Sequence, residues 1–161
     1  MWHWLAIACI LLPISLYAEV FDAEPTHVSD GDTLWVLPVG GSVPQKLRLL
    51  GLDAPEICQP GGLASRDALQ QLVAHKRLHV SVNFQDGYGR GLARIRIDDL
   101  DVGALMVQSG QAWSNRWHHS LGPYAQQENQ ARAGRLGLFA DPDAELPRDF
   151  RKRFGSCYPA R

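Results

Sequence analysis

LRLLGLDAPE, residues 47–56, begins like a strand of a protein core and ends unlike one. Leu47, Leu49, Leu50 and Leu52 ask for burial, yet Arg48 stands among them, and Asp53 and Glu56 lie on either side of Ala54-Pro55. A guanidinium is costly to bury unless an anion meets it, so Arg48 either pairs with a nearby acid or serves an anionic ligand. The ion pair is the more ordinary fate. At ~3.3 Å per residue a straight strand would hold Arg48 and Glu56 about 26 Å apart. For the two to act on one ligand the chain must turn, and Gly51 and the Ala54-Pro55 step are where it can.

Upstream, THVSDGDTLWVL (26–37) reads as two short strands flanking the turn formers of SDGD, and QKLRLLGL (45–52) as a third. Downstream, GLASRDALQQLVA (62–74) sets Leu63, Leu69, Leu72 and Val73 near helical spacing. RLHVSVNF (77–84) and GLARIRID (91–98) alternate as strands around the turn QDGYGR, the second with Leu92, Ile95 and Ile97 as its apolar positions. DVGALMVQSG (101–110) is a short helix stopped at Gly110, and a last helix runs from about Tyr124 to Arg135. The remainder, from Ala140, carries three prolines and many charges and reads as an extended tail. Five strands, with a helix before the fourth and helices after the fifth, predict an α+β fold, mainly β: a five-stranded OB-type barrel with about three helices. An open mixed sheet is the alternative.

The 161 residues suit one domain, and 45% hydrophobic with 20% charged residues indicate neither disorder nor a fibrous class. The net charge of −1 does not advertise a polyanion binder, although Arg132–Arg161 holds seven Lys/Arg against four Asp/Glu. MWHWLAIACILLPISLYA (1–18) is an uncharged apolar run, interrupted by Pro13 and shorter than the ~20 residues that span a bilayer. It reads as a secretory signal cut after Ala18, with an uncleaved anchor as the alternative. The folded domain then covers 19–145 and a basic tail 146–161, in the periplasm or outside the cell. Cleavage removes Cys9 and leaves Cys58 and Cys157, an even pair and a disulfide candidate in an oxidising compartment. Such a bond would tether the tail to the loop after LDAPE, and the chain-entropy model values a loop of this length at about 4.7 kcal/mol. Two free thiols are the alternative.

Acids gather in two turn-rich clusters, Asp30 and Asp32 in SDGDT, Asp53 and Glu56 in LDAPE. Carboxylate and carbonyl oxygens suit Ca²⁺ or Mg²⁺, and no spaced Cys/His set points to zinc; His118 and His119 read as a solvated pair. Arg48 and Arg90 supply planar forks that match phosphate oxygens two at a time. A hard cation, two such forks and a carboxylate beside an attacking water are what in-line displacement at a phosphodiester needs. No P-loop, GxSxG elbow or CxxC pair supports a rival chemistry.

These residues resemble the staphylococcal (micrococcal) nuclease family, the thermonucleases. DGDT (30–33), RLLGLDAPE (48–56), DGYGRGLA (86–93) and VGALMVQSGQAW (102–113) carry the resemblance in the family's order, and ARAGRLGLF (131–139) adds to it. The resemblance implies an OB-type barrel and a Ca²⁺-dependent phosphodiesterase acting on DNA and RNA, single strands preferred, as a monomer. It places one Ca²⁺ on Asp32, Asp53 and the main-chain carbonyl of Ala54. It casts Glu56 as the residue that activates water and Arg48 and Arg90 as clamps on the transition state. Tyr88 matches a phosphate-contacting tyrosine, and Trp113 and Trp117 are candidates for stacking on bases. The loop ICQPGG (57–62) lacks the family's lysines, and SNRWHHS (114–120) lacks its nucleotide-contacting tyrosines. Two other classes compete: a catalytically silent OB-type module binding nucleic acid or protein, and a small exported disulfide protein with a structural Ca²⁺ site.

Overall fold

The bend that LRLLGLDAPE requires is present, and it falls at Gly51. In a computed structural model, which describes residues 18–116 and 120–157, Gly51 has φ +88°. The expected signal up to residue 17, Trp117, His118 and His119 lie outside the described residues. A Cβ on Gly51 would approach Pro123 Cγ to 2.6 Å, so both backbone and space demand glycine. The stretch is thereby split into β3 (Gln45–Leu49) and β4 (Leu52–Asp53), which belong to different sheets.

β1 (Glu19–Val28), β2 (Thr33–Pro38), β3, β5 (Leu78–Gln85) and β6 (Gly91–Ile97) form the barrel. Neighbours run antiparallel in the order β3-β2-β1-β5-β6, and a parallel β3–β6 ladder pairing Leu47 with Gly91 and Arg48 with Leu92 closes it. This is the OB-type barrel. β7 (Leu100–Asp101) continues the sheet past β6, and β8 (Trp113–Ser114) pairs with β4.

β1 starts earlier than its pattern suggested, because Glu19–Ala23 pairs with β5 although its polar residues alternate weakly. Pro25 sits at a register shift, where a missing N–H does no harm. In β6 the inward set is Gly91, Ala93, Ile95 and Ile97, so Leu92 is out of phase and only half-buried.

The described residues hold four α-helices: α1 (Gly62–Val73), α2 (Val102–Gln108), α3 (Ala125–Ala133) and α4 (Pro147–Phe154). Leu69 and Val73 of α1 and Val102, Met106 and Val107 of α2 join the core built on Leu34, Leu47, Val80 and Ile95. Each such burial contributes about 1.5–3 kcal/mol. Leu63, assigned by spacing to the apolar face of α1, is instead exposed. A smaller cluster of Trp113, Ala131 and Phe139 lies beneath α3 and a 3₁₀ turn (Gly137–Ala140).

The C-terminal stretch is not the extended tail its prolines suggested. Pro147 opens α4 at a first-turn position, where proline's fixed φ favours a helix. Asp149 in the first turn and Arg151, Lys152 and Arg153 in the last complement the helix dipole, and Phe150 is buried. Among the described residues no helix is long and apolar enough to cross a membrane.

Candidate active site

The SDGD turn is pinned before its acids do any chemistry. Ser29 N–H donates to the Thr33 carbonyl at 2.9 Å, and Asp30 Oδ1 accepts from Asp32 N–H at 3.0 Å. Gly31 is wedged between α1 and the LDAPE loop, where a Cβ would collide with the Ser65 side chain and approach Ala54 Cβ to 2.8 Å. Asp32 is thus buried with both oxygens held: Oδ1 accepts from Thr33 Oγ1 at 2.9 Å, and Oδ2 from Ala54 N–H at 3.1 Å. Burial, then the neighbouring Asp32 charge, pushes the Asp30 carboxyl up to about 7.

Arg48 projects from β3 opposite Thr33 and joins the two clusters. Its Nη1 donates to Asp32 Oδ1 and its Nη2 to Asp53 Oδ1, each at 2.8 Å. Burial alone would push the guanidinium down, but Asp32 and Asp53, with Asp30 behind them, outweigh it and raise it above the ordinary arginine value. The ordinary fate of a buried arginine is therefore realised, with the two acids singled out as metal ligands as its partners.

Glu56 follows the Ala54-Pro55 step, in a turn closed by paired bonds. Its N–H donates to Gln59 Oε1 at 3.1 Å, and Gln59 N–H donates to its carbonyl at 2.8 Å. The Glu56 carboxylate is met by a residue that sequence reasoning missed. Arg151 of α4 places Nη1 2.7 Å from Glu56 Oε1 and Nη2 3.3 Å from Asp53 Oδ2. Burial lowers the Arg151 guanidinium, but the bond to Glu56 and the Asp53 charge more than offset it. The only signs of this residue in the sequence are the basic tail and the partner it offers for Cys58. Cys58 and Cys157 are indeed joined, Cα to Cα 5.7 Å, and they tie the end of α4 to the turn that bears Glu56.

Arg90 stands apart. Asp86 accepts from Arg90 Nε through Oδ2 at 2.8 Å, and through Oδ1 from the Tyr88 and Arg90 N–H groups at 2.9 and 3.0 Å. Burial raises the Asp86 carboxyl, but the Arg90 and Tyr88 bonds together hold it below the usual range. Tyr88 is 88% exposed, its ring 5.4 Å from the Arg90 guanidinium. The β3–β6 ladder sets Arg90 one residue before Gly91, the partner of Leu47, at the rim of the same wall. Hence Asp32, Arg48, Asp53 and Glu56 form one chain of charge, whereas the side-chain partners of Arg90 among the described residues lie in its own turn. Trp113 is buried edge-on against Phe139 at 6.0 Å and is a core residue, not a platform for a base. Asp86 was also missed, because an acid before glycine first signals a turn.

Three carboxylates, Asp32, Asp53 and Glu56, meet two guanidiniums, Arg48 and Arg151, which leaves one net negative charge on the chain. Among the described residues no group of three or more His, Cys, Asp or Glu could hold a metal alone. The donor chemistry of Asp32 and Asp53 is that of a hard cation such as Ca²⁺ rather than zinc, and in this structure their oxygens accept from Arg48, Thr33, the Ala54 N–H and Arg151.

A family model, "Staphylococcal nuclease homologue", matches residues 46–141. The chain is 32% identical over 158 residues to Protein ParB of Escherichia coli, covering 91% of this chain and 88% of that one. It is 30% identical over 158 residues to a micrococcal nuclease of Shigella flexneri, covering 91% and 89%. To an uncharacterized endonuclease of Escherichia coli O157:H7 it is 35% identical over 128 residues, covering 79% and 82%. With the barrel, the acid-arginine chain and this extent of match together, the chain belongs to the staphylococcal nuclease family.

Proposed function

We propose that the protein is an exported, Ca²⁺-dependent nuclease that hydrolyses phosphodiester bonds of DNA and RNA without discriminating the sugar. The observation that carries this reading is the fork of Arg48 between Asp32 and Asp53 at 2.8 Å each, with Glu56 on the same chain of charge. A cation on Asp32, Asp53 and the Ala54 carbonyl would supply charge stabilisation to the phosphoryl oxygens. Arg48 offers the phosphodiester a fork matched to two of its oxygens. Arg90 offers a second from the rim, with the exposed Tyr88 ring 5.4 Å from its guanidinium. Glu56 orients the attacking water and takes its proton as the water oxygen bonds to phosphorus. The ester P–O bond opposite breaks, and the leaving oxygen takes a proton from solvent.

The Cys58–Cys157 disulfide supports an oxidising location, periplasmic or secreted. The substrate is single-stranded nucleic acid by preference, and the working unit is a monomer. Digestion of heat-denatured DNA by the chain lacking residues 1–18, with Ca²⁺ and with chelator, tests the reading. Chelator-sensitive cleavage that disappears in Glu56→Gln is expected. No cleavage, which would favour a silent binding module, or full activity in Glu56→Gln, would overturn it.

A further inference from the structure

We infer that Arg151 is a positioning residue for Glu56, delivered by a helix that the Cys58–Cys157 disulfide locks against the turn bearing that glutamate. The inference rests on the reading of Glu56 as the group that handles the attacking water.

α4 is built to present this one side chain. Of its four basic residues, Lys152 pairs with Asp149 at 3.0 Å, Arg153 with Glu145 at 2.6 Å and Arg148 with Asp149 at 3.7 Å. Arg151 alone among them reaches Asp53 and Glu56. Buried Pro147 and Phe150 seat the helix, and the Phe150 and Phe154 rings lie 4.9 Å apart one turn on. The turn at 56–60 is gripped from the same side. Gln59 Nε2 donates to the Glu145 carbonyl at 2.6 Å, and Cys58 N–H donates to Cys157 Sγ at 3.1 Å. Gln59, whose other end accepts from Glu56 N–H, therefore carries the position of the C-terminal segment directly into the Glu56 backbone.

The chemistry follows from the shape of the fork. A guanidinium is planar and its donors keep a fixed spacing. With Nη1 on Glu56 Oε1 and Nη2 on Asp53 Oδ2, it sets the separation and tilt of the two carboxylates relative to each other. Arg151 Nη1 takes up Glu56 Oε1, and the inference assigns Oε2 to accept from water. A lysine would keep the charge and lose the two-point geometry. Arg151 lies beyond the residues that the family model matches, so this role is read from the chain's own C-terminal helix.

Steady-state cleavage of heat-denatured DNA in Ca²⁺ tests the role. Arg151→Gln should lower kcat roughly 10- to 100-fold, the scale of misplacing a reacting group by about 1 Å, with KM nearly unchanged. Arg151→Lys should recover part of the loss, and Lys152→Gln, with the same change of charge, should behave like wild type. The double variant Cys58→Ser/Cys157→Ser should reproduce the Arg151→Gln defect. A raised KM with kcat kept would make Arg151 a substrate ligand. Tighter Ca²⁺ binding by calorimetry with kcat kept would make it a counter-ion of Asp53. Either result overturns the inference. Independently of activity, the shifts in Tm of Arg151→Gln and Glu56→Gln without Ca²⁺ should be non-additive, and additive shifts would also overturn it. Absence of cleavage by the wild-type protein sinks the nuclease reading itself, and the positioning role with it.

Discussion

Arg48 Nη1 lies 2.8 Å from Asp32 Oδ1, across sixteen residues of chain that leave the SDGD turn and return along β3. Asp32 is nearly inaccessible, so this guanidinium is a structural counter-charge as well as a candidate clamp. Arg48→Met should cost about 3–5 kcal/mol of stability, the range for leaving a buried partner unpaired. Urea unfolding in chelator measures it. Ca²⁺ should restore part of the stability without restoring cleavage, because the cation replaces the charge and not the fork.

Asp86 organises the turn that holds Arg90. Its carboxyl lies below its ordinary value of 3.8, so its contribution to stability is fully present above that pH and is lost as pH falls through the depressed value. Asp86→Asn should remove this acid-side dependence from a titration of unfolding free energy. It should also lower kcat/KM by roughly 100-fold at neutral pH by freeing Arg90. An unchanged kcat/KM would mean that Arg90 is not held in its working position by Asp86.

Gly51 makes the bend on which the site depends. Gly51→Ala meets both a left-handed φ of +88° and the Pro123 ring, so it should cost more than the roughly 1–2 kcal/mol of the backbone strain alone. Gly40→Ala is the control, with φ +78° and no atom within 4 Å of the new Cβ, and should cost only the strain. Equal losses in thermal unfolding would show that the contact with Pro123 does not matter.

Reducing the Cys58–Cys157 bond, which closes 99 positions of sequence, should lower stability by about 2–5 kcal/mol. Urea titrations with and without reductant read this directly. Hydrogen exchange should show the amides of α4 losing protection before those of the barrel, since α4 is tied to the turn at 56–60 by the disulfide and the Arg151–Glu56 pair while the barrel strands are laddered to one another.

Much of the molecule is legible in its sequence alone. Period-two alternation marks β5 and β6, helical spacing marks α1, and the turn residues of SDGD and QDGYGR mark where strands stop, because these signals are carried by neighbours in the chain. The residue types at positions 32, 48, 53 and 56 predict that acids and a guanidinium meet, since a guanidinium in a leucine-rich strand needs an anionic partner. What the sequence could not supply is contact between distant segments. The parallel β3–β6 ladder, the inward turn of Ala93 in place of Leu92, and the grip of Asp86 on Arg90 each depend on how the barrel closes. α4 reads as a tail because Pro147 and its charges look like breakers until Phe150 finds a surface to bury against. Arg151 meets Glu56 across 95 residues, a pairing that no local pattern encodes, and packing and the disulfide alone bring it about.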